Sequence, residues 1–123
     1  MAAVTGAAGM TTALLLSNLV TKQLYRRRRP PSEWVPPDAL RGRPESSSFP
    51  SGHTAAAFAF AGAVGSVWPP VGATCGALAV PVAVERVHSG AHYPSDVAAG
   101  AALGLASAAL VRAAPRLLWR RVL

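Results

Sequence analysis

Uncharged apolar blocks alternate with short charged segments along the chain. No Lys, Arg, Asp or Glu occurs in residues 1–21, 46–84 or 97–111. A soluble amphipathic helix carries polar and charged residues on its wet face, whereas a helix in the hydrocarbon of a bilayer has few or no charges. The three blocks therefore predict helices embedded in a membrane.

Prolines divide these blocks into separate helices. Pro69 and Pro70 end the second helix, and Pro94 is a residue favoured in the first turn of the fourth. At ~1.5 Å per residue the first helix can cross about 30 Å of hydrocarbon, whereas the second and third are short for a full span. We predict a single all-α membrane domain over residues 1–123, a helical bundle with about four transmembrane helices. The predicted helices cover about 2–25, 54–68, 71–87 and 94–113, with a polar loop over 28–50.

This order of helices places both polar loops on one face of the bundle. The loop over 22–53 joins helices one and two, and the loop over 85–96 joins helices three and four. The Trp68-Pro69-Pro70 turn between helices two and three then lies on the opposite face. Every candidate catalytic group falls in the first two loops, so we expect these groups to meet at one edge of the membrane.

Composition and charge agree with a membrane protein that meets anions. Apolar residues make up 51% of the chain but aromatic residues only 7%, which suits helices packed closely through small residues. The net charge of +7 indicates phospholipid headgroups, nucleic acid or a phosphorylated substrate as partners. Because Arg26 to Arg29 lie beside an apolar span, a membrane interface or a phosphate site is favoured, and no nucleic-acid partner is expected.

Three short clusters in the polar loops carry ionisable or hydroxyl groups, and each alone has a plain structural explanation. The basic run can contact headgroups, and Ser51 or Thr54 can cap a helix. Asp96 can complement the dipole of the fourth helix, which leaves His92 an ordinary interfacial histidine. The clusters are Lys22-x6-Arg29-Pro30, Pro50-Ser51-Gly52-His53 and Arg86-x5-His92-x3-Asp96.

Taken together, the clusters hold the groups that a reaction on a phosphate ester needs. Such a reaction needs cations, N–H donors, a nucleophile and an acid for the leaving group. Lys22, Arg29 and Arg86 are candidate cations. Ser51, Gly52 and the start of helix two offer a hydroxyl and N–H groups at a positive dipole end. Two histidines and one carboxylate remain for the chemical steps.

In this order the clusters resemble the signature of the type 2 phosphatidic acid phosphatase superfamily. That superfamily includes lipid phosphate phosphatases, undecaprenyl-diphosphate phosphatases and vanadium-dependent haloperoxidases. The resemblance covers residues 22 to about 104. The stretches SSFPSGHTAAAFAFA and RVHSGAHYPSDVAAGAALG are similar to actinobacterial members.

The resemblance implies a role for each residue, with no metal and no cofactor. His92 is the implied nucleophile, which forms a phosphohistidine, and Asp96 is implied to hydrogen-bond the far nitrogen of its ring. His53 is implied to protonate the leaving group and then to activate water. The implied ligands of the phosphate oxygens are Lys22, Arg29, Ser51, Gly52 and Arg86.

Two features depart from the family pattern. Glu85 stands where the family usually has Ser, and it can either repel the phosphate or pair with an arginine; we favour the pairing. Many bacterial members have six membrane helices, whereas four fit here. A third histidine, His88, is interpreted as a loop or helix-end residue without a chemical role rather than a substrate contact.

These observations predict a membrane lipid phosphatase. Its lipid phosphate substrate is expected to be a prenyl phosphate or diphosphate, a prenyl-phosphosugar or phosphatidic acid, which the sequence does not distinguish. One alternative is a non-catalytic cationic scaffold or lipid-binding protein, in which His53, His92 and Asp96 can be replaced without effect. A less favoured alternative is a vanadate-dependent haloperoxidase, because those proteins are soluble and much larger.

The basic residues bear on the orientation of the chain in the membrane. The four at the C-terminal end favour a cytoplasmic location for that end and an outward-facing site. The other eight lie on the side of the clusters and argue the reverse, although several have a phosphate to bind. The resemblance favours a multi-pass cell-membrane protein with an extracytoplasmic site. Four short helices expose much apolar surface, which is compatible with a homo-oligomer. The four C-terminal residues are Arg112, Arg116, Arg120 and Arg121.

Overall fold

The computed structural model of the chain is a helical bundle. It describes residues 1–41, 43 and 46–122, and it describes their side chains except at 20–21 and 116–122. No β-strand occurs among these residues, which confirms the predicted all-α class. The side chain of Arg112 is described, whereas Arg116, Arg120 and Arg121 lie outside the described side chains. The long helices are α1 (Ala2–Leu24), α2 (Gly52–Val67), α3 (Pro69–His88) and α4 (Pro94–Val122).

Local sequence explains where the helices begin. Ser51 is the N-cap of α2, and its Oγ accepts the N–H of Thr54 at 3.4 Å. Prolines open α3 and α4, where the missing N–H is one that a helix leaves unpaired in any case. The predicted fourth helix ended at about 113, but α4 continues to Val122, beyond the apolar part that suits a membrane.

Three of the described helices are long and apolar enough to cross a membrane, judged by length and composition: α1, α3 and α4 over Pro94–Pro115. These helices indicate a membrane protein. Helix α2 has 16 residues, fewer than the ~20 that a span needs. The helical class is therefore established, whereas the count of four spans stays a prediction.

The short helix α2 is the centre of the bundle, since it packs against α1, α3 and α4. Gly100 and Gly104 of α4 lie directly on its backbone. A Cβ at Gly100 would stand 2.5 Å from the carbonyl oxygen of Ser51, and one at Gly104 would collide with that of Ala55. Only glycine permits this approach, which sets the start of α4 against the start of α2. The buried residues of α2 are mostly small: Thr54, Ala55, Ala59, Ala61, Ala63 and Val64.

The two polar loops meet on one face of the bundle, as predicted. The first runs from α1 to α2 and contains two short helical turns, Ser32–Trp34 and Pro37–Leu40. The second is the turn between α3 and α4, in which Gly90 has a positive φ of 71°. A side chain on Gly90 would collide with buried Val35 of the first loop. The first loop therefore packs closely over the turn that carries His92.

Candidate active site

His92 lies buried in the turn between α3 and α4, with 4% of its surface exposed. Its backbone N–H donates to the carbonyl of Arg86 at 3.1 Å. Its ring Nδ1 lies 2.6 Å from the carbonyl oxygen of Ser48. A carbonyl can only accept, so Nδ1 carries the proton and Nε2 keeps its lone pair. The ring is thus held in the tautomer that a nucleophilic Nε2 requires.

The guanidinium of Arg29 stands beside this lone pair, with Nη1 at 3.3 Å from Nε2 of His92. Backbone carbonyls fix the guanidinium in place. Nη1 also donates to the carbonyl of Ala91 at 2.8 Å, and Nε donates to that of Ser46 at 3.1 Å. The cation is therefore fixed beside Nε2, where it would stabilise the negative charge of a phosphate bound there.

Burial lowers the pKa of His92 from its ordinary value of 6.5 to about 4. The hydrogen bond to the Ser48 carbonyl acts in the opposite direction, and the positive charge of Arg29 acts in the same direction as burial. The ring is consequently neutral near pH 7. A neutral imidazole is the form that can attack phosphorus, because protonation would remove the lone pair.

Lys22, at the end of α1, supports the same loop from the other side. Its Nζ donates to the carbonyls of Ser47 and Pro50 at 2.8 and 2.9 Å. An ammonium group has three donors, so one N–H is left for a ligand. Lys22 thus ties down the segment that precedes α2 and keeps its charge close to the start of that helix.

Ser51 and Gly52 occupy the start of α2, and their contacts to a phosphate stay a prediction. The Ser51 side chain is fully buried, and its Oγ donates to Oγ1 of Thr54 at 2.9 Å in addition to its cap bond. A Cβ on Gly52 would meet its nearest neighbour, Oγ of Ser17, at an ordinary 3.6 Å. The helix-cap explanation fits Ser51. Backbone N–H groups of the first turn remain the donors that this end of α2 offers.

Asp96 is placed differently from the implied hydrogen bond to His92. Its Oδ2 is 3.9 Å from Nδ1 of His92, beyond hydrogen-bond distance, and accepts the N–H of Tyr93 at 2.8 Å. Its Oδ1 pairs with Nη1 of Arg27 at 3.1 Å. The carboxylate is completely buried, so this pairing compensates its charge. Asp96 acts on the His92 ring through its charge, while the carbonyl oxygen of Ser48 accepts the hydrogen bond from Nδ1–H.

His53 lies in the first turn of α2 with its ring largely exposed. Partial desolvation lowers its pKa, and the nearby charge of Arg86 lowers it further. Glu85 acts in the opposite direction, and Arg29 adds to the lowering. The His53 ring is therefore close to Arg86 and Arg29, two of the cations predicted to bind the phosphate. A bound phosphate would favour the protonated form of the ring.

Arg86 is engaged by its neighbour in the chain. Its Nε and Nη2 both lie 2.7 Å from Oε2 of Glu85. This is the pairing favoured from the sequence for Glu85. The Arg86 guanidinium makes no hydrogen bond to the His92 ring among the described contacts, in contrast to Arg29. His88, assigned no chemical role, is an exposed residue at the end of α3.

Two contributors to the site were missed from the sequence. Ser48 acts through its backbone carbonyl, which no side-chain pattern reports. Arg27 carries the counter-charge of Asp96, donates to Oγ of Ser95 at 2.6 Å, and stacks 4.0 Å above the Tyr93 ring. Its signal was present but ambiguous, because it lies within a run of four arginines. Within the described residues, no group of three or more His, Cys, Asp or Glu is placed to hold a metal ion.

Comparison with known families agrees with this geometry. A family model described as the PAP2 superfamily matches residues 2–120. The chain belongs to the PAP2 superfamily. Both sides of the site, from Lys22 to Asp96, fall within the matched residues.

Two of three similar proteins are named as phosphatases, and the third is named as a transport permease. The chain is 41% identical over 110 residues to the decaprenylphosphoryl-5-phosphoribose phosphatase of Mycobacterium tuberculosis, which covers 85% of this chain and 56% of the relative. It is 43% identical over 63 residues to the lipid A 1-phosphatase of Rhizobium etli, covering 51% and 27%. It is also 43% identical over 65 residues to the bacitracin transport permease protein BcrC of Bacillus licheniformis, covering 53% and 32%. No solved structure shows a significant match.

The chain spans little more than half the length of the mycobacterial relative. Because the match covers 85% of this chain, it includes the three clusters between Lys22 and Asp96.

Proposed function

We propose that this PAP2 chain carries the catalytic site of a membrane lipid phosphatase. Its reaction is hydrolysis of a phosphate monoester or diphosphate of a lipid through a phosphohistidine intermediate. The observation that carries the proposal is the state of His92: a buried neutral ring whose Nδ1–H is held by the Ser48 carbonyl and whose Nε2 lone pair faces Arg29. A neutral ring with its proton fixed on Nδ1 and its lone pair on Nε2 is the form in which an imidazole can attack phosphorus.

In the first step Nε2 of His92 attacks the phosphorus atom. A P–N bond forms, the P–O bond to the lipid breaks, and the departing oxygen takes a proton from His53. The ring becomes positively charged while its Nδ1–H stays on the Ser48 carbonyl. The buried carboxylate of Asp96, 3.9 Å from Nδ1, stabilises that positive charge.

In the second step water attacks the phosphorus of the phosphohistidine. His53, now neutral, accepts a proton from the water, the P–N bond breaks, and the pair of electrons returns to Nε2 of His92. Inorganic phosphate leaves and both rings regain their starting states. No proton is left over, because the one that His53 gave to the lipid oxygen is replaced by the one from water.

Cations and N–H groups stabilise the charge on the phosphate oxygens during both steps. Arg29 is already in position, and Lys22 has one N–H left beside the start of α2. Arg86 joins them when a phosphate displaces Glu85. The N–H groups in the first turn of α2, which begins at Gly52, face the same anion. They form the positive end of the helix dipole.

The substrate is proposed to be a lipid phosphate that resides in the membrane. Both polar loops lie at one end of helices that suit a bilayer, so a scissile bond there is at the membrane edge. A relative named for decaprenylphosphoryl-5-phosphoribose favours a prenyl-phosphosugar, and one named for lipid A favours a saccharide lipid. The protein is then a multi-pass protein of the cell membrane with its site on the extracytoplasmic side.

Phosphate release by the purified full chain in neutral detergent tests the proposal. The panel contains a prenyl phosphate, a prenyl diphosphate, a phosphorylated prenyl-phosphosugar and phosphatidic acid, all with chelator present. We expect release from at least one of them, and a loss of roughly 10³-fold or more in His92→Ala. His88→Ala, an exposed histidine four residues away, is the matched control and retains activity within about twofold.

Two results would contradict the proposal. Full activity in His92→Ala would remove the nucleophile from the mechanism. No release from any member of the panel, with binding of the same lipids by wild type and His92→Ala alike, would instead support the non-catalytic lipid-binding protein.

A further inference from the structure

A cationic cleft opens beside the catalytic loop, and several of its cations have no part in the attack on a single phosphate proposed above. Its volume is about 1060 Å³, the size of a small-molecule site rather than of one phosphate group. None of its described lining residues is acidic. Its cationic lining residues are Lys22, Arg26, Arg27, Arg28, Arg29 and Arg43.

Two of these cationic side chains make no contact that stabilises the fold. The side chains of Arg26 and Arg28 are exposed, and neither makes a hydrogen bond or ion pair within the part of the chain that the structure describes. Arg27 is different because Asp96 offsets its charge. Arg43 is also engaged, since its Nη1 donates to the carbonyl of Pro30 at 2.7 Å. Arg26 and Arg28 are therefore the cations of the cleft whose side chains are bonded neither to a carboxylate nor to a backbone carbonyl in the part of the chain that the structure describes.

The cleft is continuous with the catalytic site through Arg29. One nitrogen of that guanidinium faces Nε2 of His92, and the other, Nη2, faces the Ser46 hydroxyl that lines the cleft. An anion in the cleft and a phosphate at His92 would thus share one arginine. A single molecule with two phosphate groups would place one phosphate beside Arg29 and His92 and the other beside Arg26 and Arg28.

We propose that the cleft binds the second phosphate group of a lipid substrate that carries two, while the scissile phosphate lies at His92. The inference rests on the proposed function and narrows its substrate class to lipid diphosphates and phosphorylated prenyl-phosphosugars. Arg26 and Arg28 are the specificity-determining residues of this subsite. Asn18 and Gln23 add neutral hydrogen-bonding groups to the cleft wall.

Kinetics with matched substrates test the subsite. The double variant Arg26→Gln/Arg28→Gln and wild type are compared in neutral detergent, on a prenyl monophosphate and on the diphosphate of the same prenyl chain. We expect the KM for the diphosphate to rise roughly three- to thirtyfold, as for loss of two solvent-exposed charge pairs, with the monophosphate values within about twofold. The control is Arg41→Gln, because Arg41 is an exposed arginine of the same loop outside the cleft. We expect it to leave the KM for both substrates unchanged. An equal effect on both substrates, or none, overturns the inference.

Binding of bilayer headgroups is the competing explanation for these arginines, and vesicles separate it. If Arg26 and Arg28 bind headgroups, the double variant loses activity on both substrates in vesicles with anionic lipids and on neither in neutral detergent. That pattern overturns the subsite.

Titration with inorganic pyrophosphate and inorganic phosphate separates failure of the subsite from failure of the proposed function. We expect wild type to bind pyrophosphate more tightly than phosphate, and the double variant to lose that preference. The preference without hydrolysis of any lipid phosphate would overturn the proposed function but support the subsite. Hydrolysis without any preference would overturn the subsite alone.

Discussion

Two arginines assigned to the same phosphate are held in opposite ways. Arg29 is surrounded by backbone carbonyls and touches Nε2 of His92, whereas Arg86 is paired with the carboxylate of Glu85, its neighbour in the chain. Carbonyls fix a guanidinium without cancelling its charge, but a carboxylate cancels it. Arg29 thus keeps its positive charge beside Nε2 of His92 and exchanges only neutral acceptors for a phosphate, whereas Arg86 has first to exchange one anion for another.

The difference indicates that residues of the same sequence signature do not contribute equally to the binding of the phosphate. Pre-positioned charge contributes most to catalysis because it costs no rearrangement at the moment of reaction. An arginine that has to leave a partner contributes only the difference between two pairings. We therefore expect substitutions on the Arg29 side to have larger effects than the same substitutions on the Arg86 side.

The largest effect is expected from Arg29→Met, which keeps a side chain of similar length and removes the charge. The kcat/KM for a lipid phosphate should fall roughly 100- to 1000-fold, the loss that follows removal of one pre-positioned donor to the transition state. Steady-state kinetics with Arg41→Met as the control measure it. A fall below tenfold would mean that Arg29 orders the loop without stabilising the reaction.

Arg86→Met is expected to have a smaller effect, a fall of about tenfold in kcat/KM, because charge-assisted bonds to the phosphate replace an existing ion pair. The same assay gives the ratio between the two arginine variants. A loss equal to or larger than that of Arg29→Met would reverse the comparison and show that Glu85 releases Arg86 without cost.

The titration of His92 distinguishes the two sides without any substrate. Its pKa is lowered by burial to about 4, and Arg29, unlike Arg86, is among the causes. Because the folded state favours the neutral ring, the ring stays neutral as the pH falls from 6.5 and protonates only near pH 4. NMR of histidine-labelled protein should show a higher midpoint in Arg29→Met and an unchanged one in Arg86→Met. A midpoint near 6.5 in wild type would contradict the buried, bonded ring.

The smallest effect is expected from Glu85→Ser. Removing the carboxylate frees Arg86 for phosphate, but the Glu85 side chain is 54% exposed, so the pair is worth little in water. We expect kcat/KM to rise by about two- to fivefold, and the rise to vanish when Arg86→Met is added. A gain that persists in the double variant would show that Glu85 acts directly on the phosphate.

Much of the fold followed from the charge pattern, because uncharged blocks bounded by prolines leave few arrangements for a short chain. The all-α class and the meeting of the two polar loops were predicted in this way. The central place of α2 was not predicted. It depends on Gly100 and Gly104, whose lack of a side chain brings α4 onto the α2 backbone, and the sequence does not show which helix a glycine faces.

The site was predictable as a set of residues but not as a set of contacts. The spacing indicated His92, Arg29 and Lys22, and the structure brings them around one loop. It did not indicate that a backbone carbonyl would hold Nδ1 of His92, since the direction of the Ser48 carbonyl depends on the path of the loop. For the same reason Asp96 was assigned to His92 and not to Arg27, its partner in the structure.

The position of the phosphate on the trapped protein decides whether His92 is the nucleophile. In His53→Ala, a lipid phosphate with a good leaving group needs no acid for the first step, while water activation is lost, so the intermediate accumulates. Mass spectrometry and ³¹P–¹⁵N NMR of the trapped protein then locate the bond. We expect phosphate on Nε2 of His92. Phosphate on Nδ1 or on another residue, or rapid phosphate release with no trapped intermediate, would contradict it.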